Sequence, residues 1–152
     1  KLTLKEVWSL NGFDRRQLVV LSACNTAVAN EEVAGWPNSP ATAFLDVGVP
    51  TVVASLWPVD DAATAILITA FYRNMRTMDT AEALRQAQTW LRDVTAGELA
   101  QRFAGEEEAL LAKTRMPIET ASEYFARFAS LDPAHPPFAH PYYWAAFTFS
   151  GA

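Results

Sequence analysis

The sequence predicts an α/β fold, a layered sheet flanked by helices, and three observations carry that reading. Residues 18–23 and 49–56 are short apolar runs rich in valine and leucine, bounded by polar or turn residues. Such runs read as interior strands, as in buried parallel sheets. Between and after them apolar residues recur at three- and four-residue steps, the spacing of helices that bury one face. Near the end, residues 143–150 alternate Ala145, Phe147 and Phe149 with Ala146, Thr148 and Ser150, the two-residue period of a strand. Strands alternating with helices point to a layered α/β sheet.

Taken in order, residues 1–10 carry Leu2, Leu4, Val7, Trp8 and Leu10, with Thr3 able to cap a brief helix, and Asn11-Gly12 reads as a turn. The first strand, at 18–23, runs into Cys24, the only cysteine. Residues 25–40 read as a surface loop in which Trp36 is either a core anchor or a pocket wall. Ser39 is placed to cap a helix starting at Pro40 or Ala41, with Ala43, Phe44 and Val47 on one face and Gly48 as its stop. Pro50 fits only near the start of the second strand, 49–56.

Asp60 or Asp61 is then expected to cap a helix that lays Ala63, Ile66, Leu67, Ala70, Phe71 and Met75 on the sheet. Thr80 is expected to cap the next, with Leu84, Ala87, Leu91 and Val94 as its stripe. Residues 95–131 read as a helical insert before the last strand. In it Leu99, Phe103 and Leu110 keep a helical spacing, broken by Gly105 and the solvated run Glu106-Glu107-Glu108. Pro117 opens another helix with Ile118, Ala121, Phe125 and Phe128 in line as a core-like stripe. Pro133, Pro136, Pro137 and Pro141 predict an extended linker. The whole chain, 1–152, reads as one domain. Three strands are fewer than a three-layer core needs, which predicts a sheet incomplete at the N-terminus.

Composition narrows the function classes. The chain has 152 residues, 51% hydrophobic and 19% charged, a globular balance long enough for one sizeable core. A net charge of -5 gives no electrostatic reason to expect nucleic acid or a membrane surface as a partner. One cysteine excludes an internal disulfide and suits a reducing compartment. No apolar run is long enough to span a bilayer and no secretory signal opens the chain, so a cytoplasmic location is expected. The six glycines are scattered, with no phosphate-cradling loop, and no Cys/His cluster has metal-ligand spacing, so neither cofactor nor metal is expected.

Cys24 stands where the first strand stops, and the carboxyl edge of an open α/β sheet is where sites are built. A thiol there reads two ways: a nucleophile facing a crevice, or a small buried hydrophobe without chemistry. For the first, the backbone N–H of Cys24 is also a candidate oxyanion donor. Trp57-Pro58-Val59-Asp60-Asp61 follows the second strand. Pro58 holds Trp57 extended, which would offer the indole to a peptide and the carboxylates of Asp60 and Asp61 to a basic side chain. The plainer alternative makes Trp57 a core residue and the two aspartates helix caps.

Five segments occur in a fixed order: 18–26 around Ser22-Ala23-Cys24-Asn25-Thr26; 44–50; 55–64 around Leu56-Trp57-Pro58; 81–88, Ala-Glu-Ala-Leu-Arg-Gln-Ala-Gln; and 140–147, His-Pro-Tyr-Tyr-Trp-Ala-Ala-Phe, with Gly151. This series resembles the CHAT domain, a caspase-like cysteine peptidase domain often found beside tetratricopeptide repeats. The resemblance implies a caspase-like layered sheet, Cys24 as nucleophile and a protein or peptide as substrate. It also implies regulatory repeats of that type as possible partners in the parent chain. A more distant similarity to separase implies that Asp61 reads a cationic residue before the scissile bond. The family's base histidine lies in a His-Gly turn ahead of the cysteine, and no histidine precedes Cys24 here. Of the two histidines, His140 falls in the family's His-Pro-x-Tyr-Trp segment, which carries no base role, and His135 in the proline-rich stretch. Because the chain opens at Lys1, it is read as the C-terminal part of the domain, with its base upstream, and is expected to be inactive alone. The competing reading is a non-catalytic α/β interaction or regulatory module with Cys24 buried.

Overall fold

The computed structural model describes residues 18–21, 39–105 and 118–151. The chain falls into two compact units, Lys1–Val59 with Ala145–Ala152, and Asp60–Trp144. The described residues form six helices and a three-stranded mixed sheet, an α/β fold.

The first unit is built on the sheet, in the order β1 (Leu18–Leu21), β2 (Thr51–Ser55), β3 (Phe147–Gly151). β1 and β2 are parallel, with Leu18 opposite Thr51 and Leu21 opposite Ala54. β3 runs antiparallel to β2, from Thr51 opposite Gly151 to Ser55 opposite Phe147. β2 is buried at all five positions because it has a neighbour on each side. β1 was expected to be equally buried but is only half-buried along its length; among the described residues it pairs on one side alone. The second strand is shorter than the apolar run, and Pro50 precedes its first residue, where a missing N–H costs no ladder bond.

Helix α1 (Pro40–Asp46) begins as the sequence predicts: the Ser39 hydroxyl accepts from the Thr42 N–H at 3.2 Å, and Pro40 occupies the first turn. It ends in a Schellman arrangement, Gly48 N–H donating to Leu45 C=O at 3.0 Å and Val49 N–H to Phe44 C=O at 3.0 Å. Gly48 takes φ +91°, a conformation that glycine adopts without a Cβ clash. Ala41, Ala43 and Phe44 of α1 pack with Val49, Val52 and Ala54, and Val19 and Leu21 lie against the same cluster. Val19 pairs with Val52 and Leu21 with Ala54, so one face of the sheet serves α1, as the two-residue side-chain period requires.

The second unit is helical. α2 (Asp61–Asn74) packs on α3 (Thr80–Asp93), and the one-turn α6 (Pro141–Trp144) touches both. α2 buries Ala63, Ile66, Leu67, Ala70 and Phe71, and α3 buries Ala83, Leu84, Ala87 and Leu91, the expected stripes. The cap of α3 is Asp79 rather than Thr80: the Asp79 carboxylate accepts from the Glu82 N–H at 2.9 Å. A carboxylate at the positive end of a helix outcompetes a hydroxyl one residue on. Asp79→Ala is therefore expected to lower stability by about 1 kcal/mol, and Thr80→Ala by only a few tenths, in urea unfolding. In the same turn Arg85, with Gln86, holds the exposed Glu82 carboxyl down to about 2, so it stays ionised through the neutral and mildly acidic range.

α4 (Ala96–Gly105) opens on a capping box. Thr95 Oγ1 accepts from Glu98 N–H at 3.3 Å, and Glu98 Oε2 accepts from Thr95 N–H at 2.8 Å. α4 packs on α5 (Ile118–Ala129). The α5 stripe differs from expectation: Phe128 is buried, but Phe125 is 40% exposed. The half-buried Tyr124 packs inward in its place, its ring 5.9 Å from that of Phe103 on α4. The proline-rich stretch is no extended linker but a series of turns. Phe138 is fully buried, edge-on to Phe128 and Tyr143, and the Pro133 and His135 carbonyls accept from the Gly97 and Ala96 N–H groups at 3.0 and 2.8 Å. Pro141 then starts α6, so Tyr143 and Trp144 are helical and the last strand begins only at Phe147.

Candidate active site

Cys24 and Trp36 lie outside the described residues. The strand that leads to Cys24 is described, and its register carries information. Leu21 stands three residues before Cys24, and its partner Ala54 three residues before Trp57. The two strands are parallel, so their carboxyl ends point the same way.

At the end of β2, Ser55 is buried and Leu56 turns out to solvent, 38% exposed, although its N–H still donates to Ala146 C=O at 2.8 Å. Trp57 is half-buried and Pro58 exposed.

In the second unit Asp60 is the cap of α2. Its Oδ1 accepts from the Ala63 N–H at 2.9 Å, and its backbone C=O accepts from Thr64 N–H at 2.9 Å. Its other oxygen, Oδ2, lies 3.8 Å from Nη1 of Arg127 on α5. Asp61 is the exposed first residue of α2, and its carboxylate makes no hydrogen bond or ion pair among the described residues. Of the two aspartates offered as caps, Asp60 fills the role, because only the residue with extended backbone ahead of the helix turns its side chain onto the free N–H groups. The Tyr124 phenol on α5 is pushed up from its ordinary value, first by burial and then by the negative charges of Asp61 and Asp60. Tyr124 and Arg127 thus join the two carboxylates electrostatically. No local motif announces them, since more than sixty residues of sequence intervene.

His140 immediately precedes α6, and its Nδ1 accepts from the Tyr142 N–H at 3.2 Å, so the ring serves as a helix cap, as a turn histidine should. His135 is exposed, and its carbonyl receives the Ala96 N–H. Among the described residues no group of three or more His, Cys, Asp or Glu is placed to hold a metal ion, and no helix is long and apolar enough to cross a membrane. A small open pocket lies elsewhere in the second unit, floored by Ile66, Ala70, Leu99 and Phe103, with the Arg102 guanidinium 4.8 Å over the Trp90 ring at its rim.

Comparison with curated proteins and with solved structures finds no match. The family model described as the CHAT domain matches residues 1–152, the whole chain. With the order of its motifs, the parallel β1–β2 pair and the mixed sheet in agreement, this chain belongs to the CHAT domain family.

Proposed function

We infer that this chain carries the nucleophile of a cysteine endopeptidase, with Cys24 attacking the peptide carbonyl. Trp57 and Asp61 contribute to substrate binding, and Asp60 backs them. Membership of the CHAT family is consistent with a caspase-like peptidase. The parallel β1–β2 pair is the observation that supports the assignment to Cys24. In the sequence Cys24 follows β1 and Trp57 follows β2, and the carboxyl edge of parallel strands is where α/β folds build sites.

The resemblance implies a base histidine ahead of the cysteine, and no histidine precedes Cys24 in this sequence. His140 is committed to a backbone N–H, which supports that reading. A cysteine with no base beside it ordinarily has a pKa of about 8.5 and is mostly protonated at neutral pH. Beside an imidazole it falls by a unit or more.

Cys24 is the only cysteine, so alkylation by iodoacetamide reports on it alone. In polypeptide that also carries the histidine, the rate against pH should rise with a midpoint below about 7.5, and in this chain alone near 8.5. A thiol that resists alkylation in both forms favours the non-catalytic module, with Cys24 buried, and ends the peptidase reading.

A further inference from the structure

The two aspartates differ in what already faces them. Asp60 has one oxygen fixed by the cap of α2, while the other meets the guanidinium of Arg127 at 3.8 Å, too long for a charge-assisted hydrogen bond. Both side chains keep solvent access, 28% for Asp60 and 47% for Arg127. In the same position the Arg127 guanidinium carbon lies 5.9 Å from the centre of the Phe128 ring. The phenol of Tyr124, one turn earlier on α5, feels the charge of Asp61 and Asp60. One face of α5 is therefore turned toward these carboxylates, and the group it presents is the same chemical group that an arginine substrate would bring.

We propose that Arg127 is a specificity-determining residue: an internal guanidinium that competes at Asp60 and Asp61 with the cationic side chain of a peptide substrate. The proposal rests on the reading of these two aspartates as the cation-accepting carboxylates. An exposed ion pair is worth little, so Arg127 yields to a well-placed substrate arginine but excludes weakly bound ones. The competition raises the threshold for basic substrates and leaves neutral ones untouched.

The test uses acetyl-argininamide as the probe, with binding followed by NMR on the full chain carrying Cys24→Ala. Binding is then read whether or not Cys24 is a nucleophile. Arg127→Gln, which removes the charge and keeps a polar side chain, should tighten binding roughly two- to fivefold, the range an exposed ion pair spans. Arg127→Lys should stay close to the parent value. Asp60→Asn should abolish the difference, and acetyl-alaninamide should respond to none of the changes. Unchanged or weaker argininamide binding in Arg127→Gln overturns the proposal. So does an equal change for the neutral probe, or no measurable binding to any form. In active full-length protein the same variant should lower KM for Arg or Lys substrates with kcat unaltered. Absence of any Cys24-dependent turnover would count against the peptidase reading, and the binding result would stand apart from it.

Discussion

Cys24→Ala in protein that includes the base histidine is expected to reduce peptide hydrolysis by roughly four orders of magnitude or more, at unchanged thermal stability. Removing a covalent nucleophile deletes the step that divides a difficult hydrolysis into two easier ones. The residual rate then comes only from binding and oxyanion stabilisation, which explains why such losses are large and non-additive with loss of the base. The loss should appear in kcat rather than KM, because an alanine at that position removes one sulfur atom and leaves the binding residues in place. Cys24→Ser should be nearly as inactive, since a hydroxyl beside an imidazole tuned for a thiol is a far weaker nucleophile. Measurement of kcat and KM on a peptide library decides it, and retention of more than a tenth of the rate would transfer the nucleophile role to another residue.

Gly151→Ala is expected to lower stability by about 2–3 kcal/mol, the largest single-methyl effect in the first unit. Gly151 closes β3 opposite Thr51 with φ +130°, and a Cβ there would meet the Pro50 carbonyl oxygen at only 2.0 Å. That oxygen belongs to backbone held by the start of β2, so nothing flexible can move aside. The chain can escape only by peeling the last rung of the β2–β3 ladder. Gly48 offers the internal control. Its φ is also positive, but no atom lies within 4 Å of where a Cβ would stand. Gly48→Ala should therefore cost about 1 kcal/mol, the conformational penalty without the collision. Equal midpoint shifts for the two variants in denaturant unfolding would show that the close approach at Pro50 contributes nothing.

Local signals read correctly wherever a short-range interaction has no competitor. The Ser39 cap, the Gly48 stop, Pro50 at the head of β2 and the stripes of α2, Met75 apart, and α3 are all decided within about four residues, and all are legible. Errors arose where two local candidates stood side by side, or where a distant surface chose the face. Asp79 took the cap from Thr80 because its carboxylate favours the helix end. Tyr124, half-buried against Phe103, rather than Phe125, faces α4. The prolines from 133 to 141 imply an extended path when read one at a time. Phe138 buried against Phe128 and Tyr143 folds that path into turns.

By itself the sequence determined the α/β class and the family through its ordered motifs. Each of these depends on residue type and on spacing along the chain. Only the tertiary structure decided that β1 and β2 run side by side in parallel, and that Arg127 comes within 3.8 Å of Asp60 while the Tyr124 phenol feels the charge of both aspartates. Hydrogen bonds between strands and charge between helices act through space, and no periodicity within one segment records which distant segment will meet it.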